Sequence, residues 1–209
     1  MHQKNNRVKI VLASSNPGKI EEIRTLTASL PIDWTLQTKL NIADADETGT
    51  TFIENAIIKA RHAAALSKLP ALADDSGLEV DALEGRPGVH TARYVSKQAA
   101  AEMRNQQLLR EMEGTKEAKR TARYHCVLAL MRHENDPSPL ICHGIWEGRI
   151  ALTPQGKNGF GYDPIFFVPT HGCTSAELSA PEKNRISHRG QVMAQFVTAF
   201  NESRFQRVD

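Results

Sequence analysis

The sequence predicts a mixed α/β fold, and three observations carry that prediction. A short, β-branched apolar run from Val8 to Ala13 leads straight into a capped turn and an amphipathic stretch. An alanine-rich segment behind a capping box reads as a long helix. Two strand-like runs, RYHCVLALMR and Leu140 to Arg149, then follow in succession. Strands and helices interleaved in this way fit α/β or α+β and exclude a helical bundle or an all-β sandwich.

The elements follow in chain order. Val8 to Ala13 is short enough, and apolar enough, for a buried strand. Asn16 suits an N-cap and Pro17 the first helical position, and Ile20, Ile23, Leu26 and Leu30 recur at near-helical spacing, so a helix is expected over 17–30. Residues 35–46 read as a strand entering an acidic loop. Thr51 with Glu54 three residues on forms a capping box that opens a helix from Phe52 to about Ser67, and Pro70 closes it. Ala71-Leu72-Ala73 reads as a short buried strand running into a turn at Asp74-Asp75-Ser76-Gly77. A helix is expected over 99–112. Strands over 123–132 and 140–149 are joined by a turn at Asn135-Asp136-Pro137. A glycine-rich loop over 156–164, a strand over 165–168 and a closing amphipathic helix over 190–201 complete the chain. No linker forces a split, so residues 1–209 are read as one domain with flexible ends at 1–7 and 203–209.

Composition narrows the classes of function. Hydrophobic residues at 40% and charged residues at 24% provide for a sizeable core and exclude wholesale disorder. Lys and Arg total 26 against 24 Asp and Glu, a balance of +2 that argues against a dedicated nucleic-acid scaffold. Aromatics at 6% are too few to line a single-strand groove. Cys126, Cys142 and Cys173 are odd in number and far apart, which argues against a disulfide framework or structural zinc and for a reducing, cytoplasmic compartment. The polar start MHQKNNRVKI precedes an apolar run too short for a signal-peptide core or a membrane span, so a soluble protein is expected.

Four segments have the residue types for chemistry, and each has a plainer reading. Ser14 to Lys19 places unpaired backbone N–H groups and a lysine at a helix start, which suits phosphate. It is no Walker A loop, since Ala13 stands where the first Gly belongs and Ile20 where Ser or Thr belongs. An ordinary capped turn fits it equally well. Glu47, Asp74 and Asp75 are hard oxygen ligands of the kind Mg²⁺ takes, although Asp-Asp-Ser-Gly is also a common solvated turn. In Gly156 to Asp163, Phe160 and Tyr162 offer flat faces for a base, or anchors for a core. Lys183 to Arg189 (KNRISHR) offers cationic donors, or a solvated basic face. Together the four supply a phosphate cradle, a metal site, a ring platform and cations, the parts of a nucleoside triphosphate site.

The stretches LASSNPGKIEEI, ETGTTFIENAIIKARHAA, ALADDSGLEVDALEGRPGVHTARY, GFGYDPIFF and EKNRISHRG stand in an order that resembles the inosine triphosphate pyrophosphatase (Ham1-like) family in its bacterial branch, from about Val8 to Asn201. The resemblance implies a long twisted mixed sheet with flanking helices, two lobes around a central cleft, and a homodimer. It implies Mg²⁺-dependent hydrolysis of ITP, dITP and XTP to the monophosphate and pyrophosphate, which keeps these non-standard purines out of DNA and RNA. By motif, Ser14, Ser15, Asn16, Pro17, Gly18 and Lys19 would hold the triphosphate. Asp75 would be the catalytic base and Ser76 a substrate contact. Glu47 and Asp75, with Asp74 nearby, would surround the metal. Phe160, Gly161, Tyr162, Asp163, Lys183, His188 and Arg189 would bind the nucleotide, with Lys59 and Asn55 on one helix side. Ser15-Asn16-Pro17 replaces the more common Gly-Asn-x, which bears on the loop's backbone geometry.

Attack of water on the α-phosphorus would rest on positioning and electrostatics, with Asp75 accepting the proton. Donors from His188, Arg189 or backbone N–H groups would donate to the O6 oxo group and leave adenine's amine facing another donor. A nucleotide sensor without turnover is disfavoured by the Glu47 and Asp75 carboxylates. A Maf-like pyrophosphatase is disfavoured because its Ser-Pro-Arg-Arg type loop is replaced by Ser-Asn-Pro-Gly-Lys.

Overall fold

A computed structural model describes residues 7–96 and 98–203. The expectation of flexible ends falls almost wholly outside these residues. Among them the chain builds one seven-stranded sheet in the order β2-β1-β3-β4-β5-β6-β7. The strands are β1 Val8–Leu12, β2 Ile32–Leu36, β3 Ala71–Val80, β4 Thr121–Met131, β5 Leu140–Ile150, β6 Phe166–Val168 and β7 Cys173–Thr174. β1 runs parallel to β2 and β3, whereas β6 runs antiparallel to β5 and β7, so the sheet is mixed. The helices are α1 Pro17–Leu26, α2 Phe52–Ser67, α3 Ala101–Glu111, α4 Ala180–Ile186 and α5 His188–Glu202. No described helix is long and apolar enough to cross a membrane.

The fold divides into two compact units. The first holds the described residues up to Asp75, with Val127–His143 and those from Val192 onward. Its β1 is buried at Ile10, Val11 and Leu12, and α2 turns Ala56, Ala60, Ala63 and Ala64 inward, small side chains that let the helix sit close. The second holds Ser76–Cys126 and Gly144–Gln191. Its core gathers Leu78, Leu108, Met112, Tyr124, Trp146, Ile165 and Phe166. Gly148 on β5 sits against Phe166, and a Cβ there would overlap the Phe166 ring.

Several boundaries differ from expectation for identifiable reasons. α1 stops at Leu26 because Thr27 caps it: its hydroxyl donates to Ile23 O at 2.6 Å and accepts from the Trp34 indole at 3.1 Å. β2 begins at Ile32 and ends at Leu36, where its partner β1 ends at Leu12; a 3₁₀ turn over Gln37–Leu40 follows. The expected turn at Asp74-Asp75-Ser76-Gly77 does not form. β3 continues through it to Val80, with Asp74 and Asp75 only 2% and 6% exposed. The basic run 183–189 is divided between two helices. Ser179 caps α4 by accepting from Glu182 N, so Lys183 and Arg185 lie on α4, and extended Ser187 separates them from His188 and Arg189 on α5.

Candidate active site

In the first unit, β1 delivers the chain into the Ser14–Lys19 turn. Asn16 caps α1 by accepting from Lys19 N at 3.2 Å, Pro17 follows without an N–H to satisfy, and Ser14 Oγ accepts from Asn16 N. Ser15 Oγ donates to Asp44 Oδ2 at 2.8 Å. Asp44 had no sequence signal beyond lying in an acidic loop, and it also accepts from the Gln37 amide. With Pro17 lacking an N–H and the Lys19 N–H taken by Asn16, the helix start keeps its partial positive charge beside Gly18 and Lys19.

Two lysines meet the carboxylates that β3 carries in succession. Lys19 Nζ lies 2.8 Å from Asp74 Oδ2, whose side chain is 1% exposed. Lys59 Nζ lies 2.7 Å from Asp75 Oδ1 and 3.0 Å from Glu47 Oε1. Adjacent residues of a strand point to opposite faces, which is how neighbouring aspartates reach different partners. The capping box places α2: Thr51 accepts from Glu54 N, and Glu54 Oε2 accepts from Thr51 N. One turn on, fully buried Asn55 accepts from Gly49 N at 2.9 Å, tying the loop that carries Glu47 to the helix that carries Lys59. Asn55 Nδ2 and Asp75 Oδ2 are buried without a hydrogen-bond partner.

These contacts set the charge states. Burial raises the Asp75 carboxyl above the usual range, opposed by Lys59 and Lys19 and reinforced by Glu47. Burial works to lower Lys59, but Asp75, Asp74 and Glu47 outweigh it and hold the ammonium above its ordinary value. A buried carboxylate raised in this way is a stronger base than a solvated one.

The donor set fits Mg²⁺. Two carboxylates already converge on one cation, and Asp75 Oδ2 has lone pairs to spare. Among the described residues no group of three or more His, Cys, Asp or Glu could hold a metal alone. The remaining ligands would come from water and phosphate, the usual habit of Mg²⁺. Asp74, the neighbour of Asp75 on β3, pairs with Lys19.

In the second unit, Arg189 Nη2 donates to Ser76 Oγ at 3.1 Å. The Phe160 ring, 40% exposed, has Lys183 Nζ 5.0 Å and the Arg189 guanidinium 5.8 Å from its centroid. Lys183 Nζ donates to Asp163 Oδ2 at 2.5 Å, and the same oxygen accepts from Phe160 N at 2.8 Å. Ser175 Oγ donates to Asp163 Oδ1. Gly159, at φ +73, is required here, because a Cβ would run into the Asp163 carboxylate. Gly161 also has positive φ. His188 stacks on Tyr124 with centroids 4.6 Å apart and planes 11° from parallel, and Tyr124 packs on Phe166 at 4.6 Å.

Two members of the expected loop lie deeper than Phe160. Tyr162 is 1% exposed in the core, its hydroxyl donating to Thr91 O, so it offers no stacking face. Asp163 is 2% exposed and engaged by Lys183, Phe160 and Ser175, so it organises the loop and holds Lys183. The sequence signal had no way to separate Phe160 from Tyr162, since both are aromatic and two residues apart.

Proteins of known structure share this architecture. The chain is similar to a Ham1 protein from Coxiella burnetii, with a TM-score of 0.89 and 55% identity over 94% of this chain and 100% of that one. It is also similar to the Staphylococcus aureus Ham1 protein, at TM-score 0.84 and 36% identity over 93% and 98%. A dITP/XTP pyrophosphatase from Vibrio vulnificus (strain YJ016) is 56% identical over 194 residues, 93% of this chain and 97% of the relative. The sequence model of the Ham1 family matches residues 10–199, and the chain belongs to that family.

Proposed function

We propose that the chain is a nucleoside triphosphate pyrophosphohydrolase that converts dITP, XTP and ITP to the monophosphate and pyrophosphate. Relatives at 52–57% identity over nearly the whole chain that bear the name dITP/XTP pyrophosphatase support the reaction. The observation that carries it is the convergence of Glu47 and Asp75 on one cationic nitrogen, at 3.0 and 2.7 Å.

The roles follow from the contacts. The N-terminus of α1 with Lys19 receives phosphate oxygens, and Lys59 neutralises charge on the leaving pyrophosphate. Asp75, raised by burial, takes a proton from the attacking water, and its unpartnered Oδ2 is the atom free to do so. Glu47 and Asp75 would hold Mg²⁺, which when bound would supply further neutralisation of phosphate oxygens and lower the pKa of water. Phe160 offers its exposed face to the purine. Donors from Arg189 and His188, and backbone N–H groups of the Gly159–Asp163 loop, favour a 6-oxo group over adenine's amine. The reading includes a homodimer and a cytoplasmic setting. The homodimer rests on family resemblance and the setting on three free cysteines; sedimentation velocity tests the first.

The experiment is pyrophosphate release from dITP, XTP, dGTP and dATP, each with and without Mg²⁺. Hydrolysis of dITP and XTP at rates well above dATP, dependent on Mg²⁺, is expected. Asp75→Asn should lower kcat by about 10²–10⁴-fold while nucleotide binding persists. Equal rates on dATP and dITP would remove the selectivity argument, and near-wild-type turnover by Asp75→Asn would remove its role.

A further inference from the structure

We infer that Lys59 is a displaceable counter-ion for the Glu47–Asp75 pair, competing with the divalent ion for that pair until a triphosphate draws the ammonium away. The inference rests on the proposed metal site and adds an order of events to it. Lys59 Nζ contacts Asp75 Oδ1 and Glu47 Oε1, one oxygen from each of the two carboxylates proposed to hold the divalent ion. Mg²⁺ requires such oxygens at about 2.0–2.1 Å. An ammonium hydrogen-bonded to both oxygens uses the same lone pairs and adds like-charge repulsion. Both sides of the contact are sheltered, with the Lys59 side chain 14% and Asp75 8% exposed, so water screens that competition little.

The position also gives the lysine somewhere to go. Its long stem rises from α2, anchored by the capping box and Asn55, while only the ammonium holds the carboxylates. A triphosphate presents more negative charge than the two carboxylates and would draw that ammonium toward itself. Metal and nucleotide should then bind with positive coupling, and the carboxylates should not be held apart by mutual repulsion beforehand. Lys19 provides an internal comparison: it has the same charge in the same unit, and its ion-pair partner is Asp74.

Mn²⁺ binding to the nucleotide-free protein, read by the loss of the free-ion electron paramagnetic resonance signal, tests the inference without turnover. Lys59→Met and Lys59→Gln should each bind Mn²⁺ at least tenfold more tightly than wild type, about 1.4 kcal/mol. Lys19→Met should change affinity less than threefold. Adding Glu47→Gln to Lys59→Met should reverse the gain. Thermal unfolding should show Mn²⁺ raising Tm more in the Lys59 variants than in wild type, which also establishes that they fold. Equal affinity in wild type and the Lys59 variants, lost with Glu47→Gln, would overturn the counter-ion role and leave the metal site standing. A Lys19→Met gain as large would reduce the effect to general charge and overturn it too. Absence of Mn²⁺ binding in every variant would overturn the metal site and this inference together.

Discussion

Asp163→Asn isolates a single charge at the loop proposed to meet the purine. Asp163 Oδ2 accepts from Lys183 Nζ at 2.5 Å and Phe160 N at 2.8 Å, and the two charged side chains are 9% and 3% exposed. Breaking a buried pair from one side costs about 3–5 kcal/mol, because the surviving charge stays desolvated. A flipped asparagine amide would still present its oxygen to Lys183, and Ser175 can turn its hydroxyl to accept, so part of the loss is recovered. A cost of about 2–3 kcal/mol is expected, which for a chain of this size is a Tm lower by about 4–12 °C. Calorimetry of Asp163→Asn, Lys183→Met and the double variant would measure it. The double variant should lose at least about 1 kcal/mol less than the sum of the singles. KM for dITP should rise in Asp163→Asn, since the Phe160 N–H loses its charged anchor. An unchanged Tm, or strict additivity in the cycle, would refute the assignment of Asp163 as the loop's organiser.

Other outcomes follow from contacts away from the reaction. Thr51→Ala removes the N-cap of α2 and should cost about 1 kcal/mol in urea unfolding, with a larger fractional loss of Mn²⁺ binding if the Glu47 loop frays with it. Asp136 accepts from Arg132 N, Arg132 Nε and Ser138 N, and Arg132 holds its carboxyl well below the usual carboxylate range. Asp136→Asn should therefore cost about 1–3 kcal/mol at pH 7, measured by denaturant unfolding. The difference from wild type should narrow as pH falls below about 4, since the stability a depressed carboxylate lends disappears as that group protonates. Tyr94 donates to Glu111 at 2.6 Å, and burial with that carboxylate pushes its hydroxyl up to about 12. The unfolded chain loses this proton first, near 10, so stability should fall between about pH 10 and 12. Tyr94→Phe should flatten that part of the urea-midpoint profile.

Local signals carried much of this molecule. The capping box at Thr51 and Glu54 located α2 to the residue, and Asn16-Pro17 located the start of α1, because caps act through bonds only a few residues long. The aspartates of β3 were misplaced on a turn for the opposite reason. Asp, Ser and Gly have turn propensity in isolation, whereas the distant lysines Lys19 and Lys59 help make the burial of both aspartates in a strand tolerable. Pairing across so much sequence leaves no local trace. The same holds for Asp44, whose role depends on Ser15 and Gln37 folding against it, and for Tyr162, whose burial depends on Thr91. Site residues were recognisable as chemical types; their partners were not.

One hydrogen atom has reach beyond its own residue. Because position 148 bears no side chain, the Phe166 ring can settle against β5; Phe166 supports Tyr124, and Tyr124 supports the imidazole of His188. A methyl added at its far end would displace the Phe166 ring, and with it the stack against which the His188 imidazole rests.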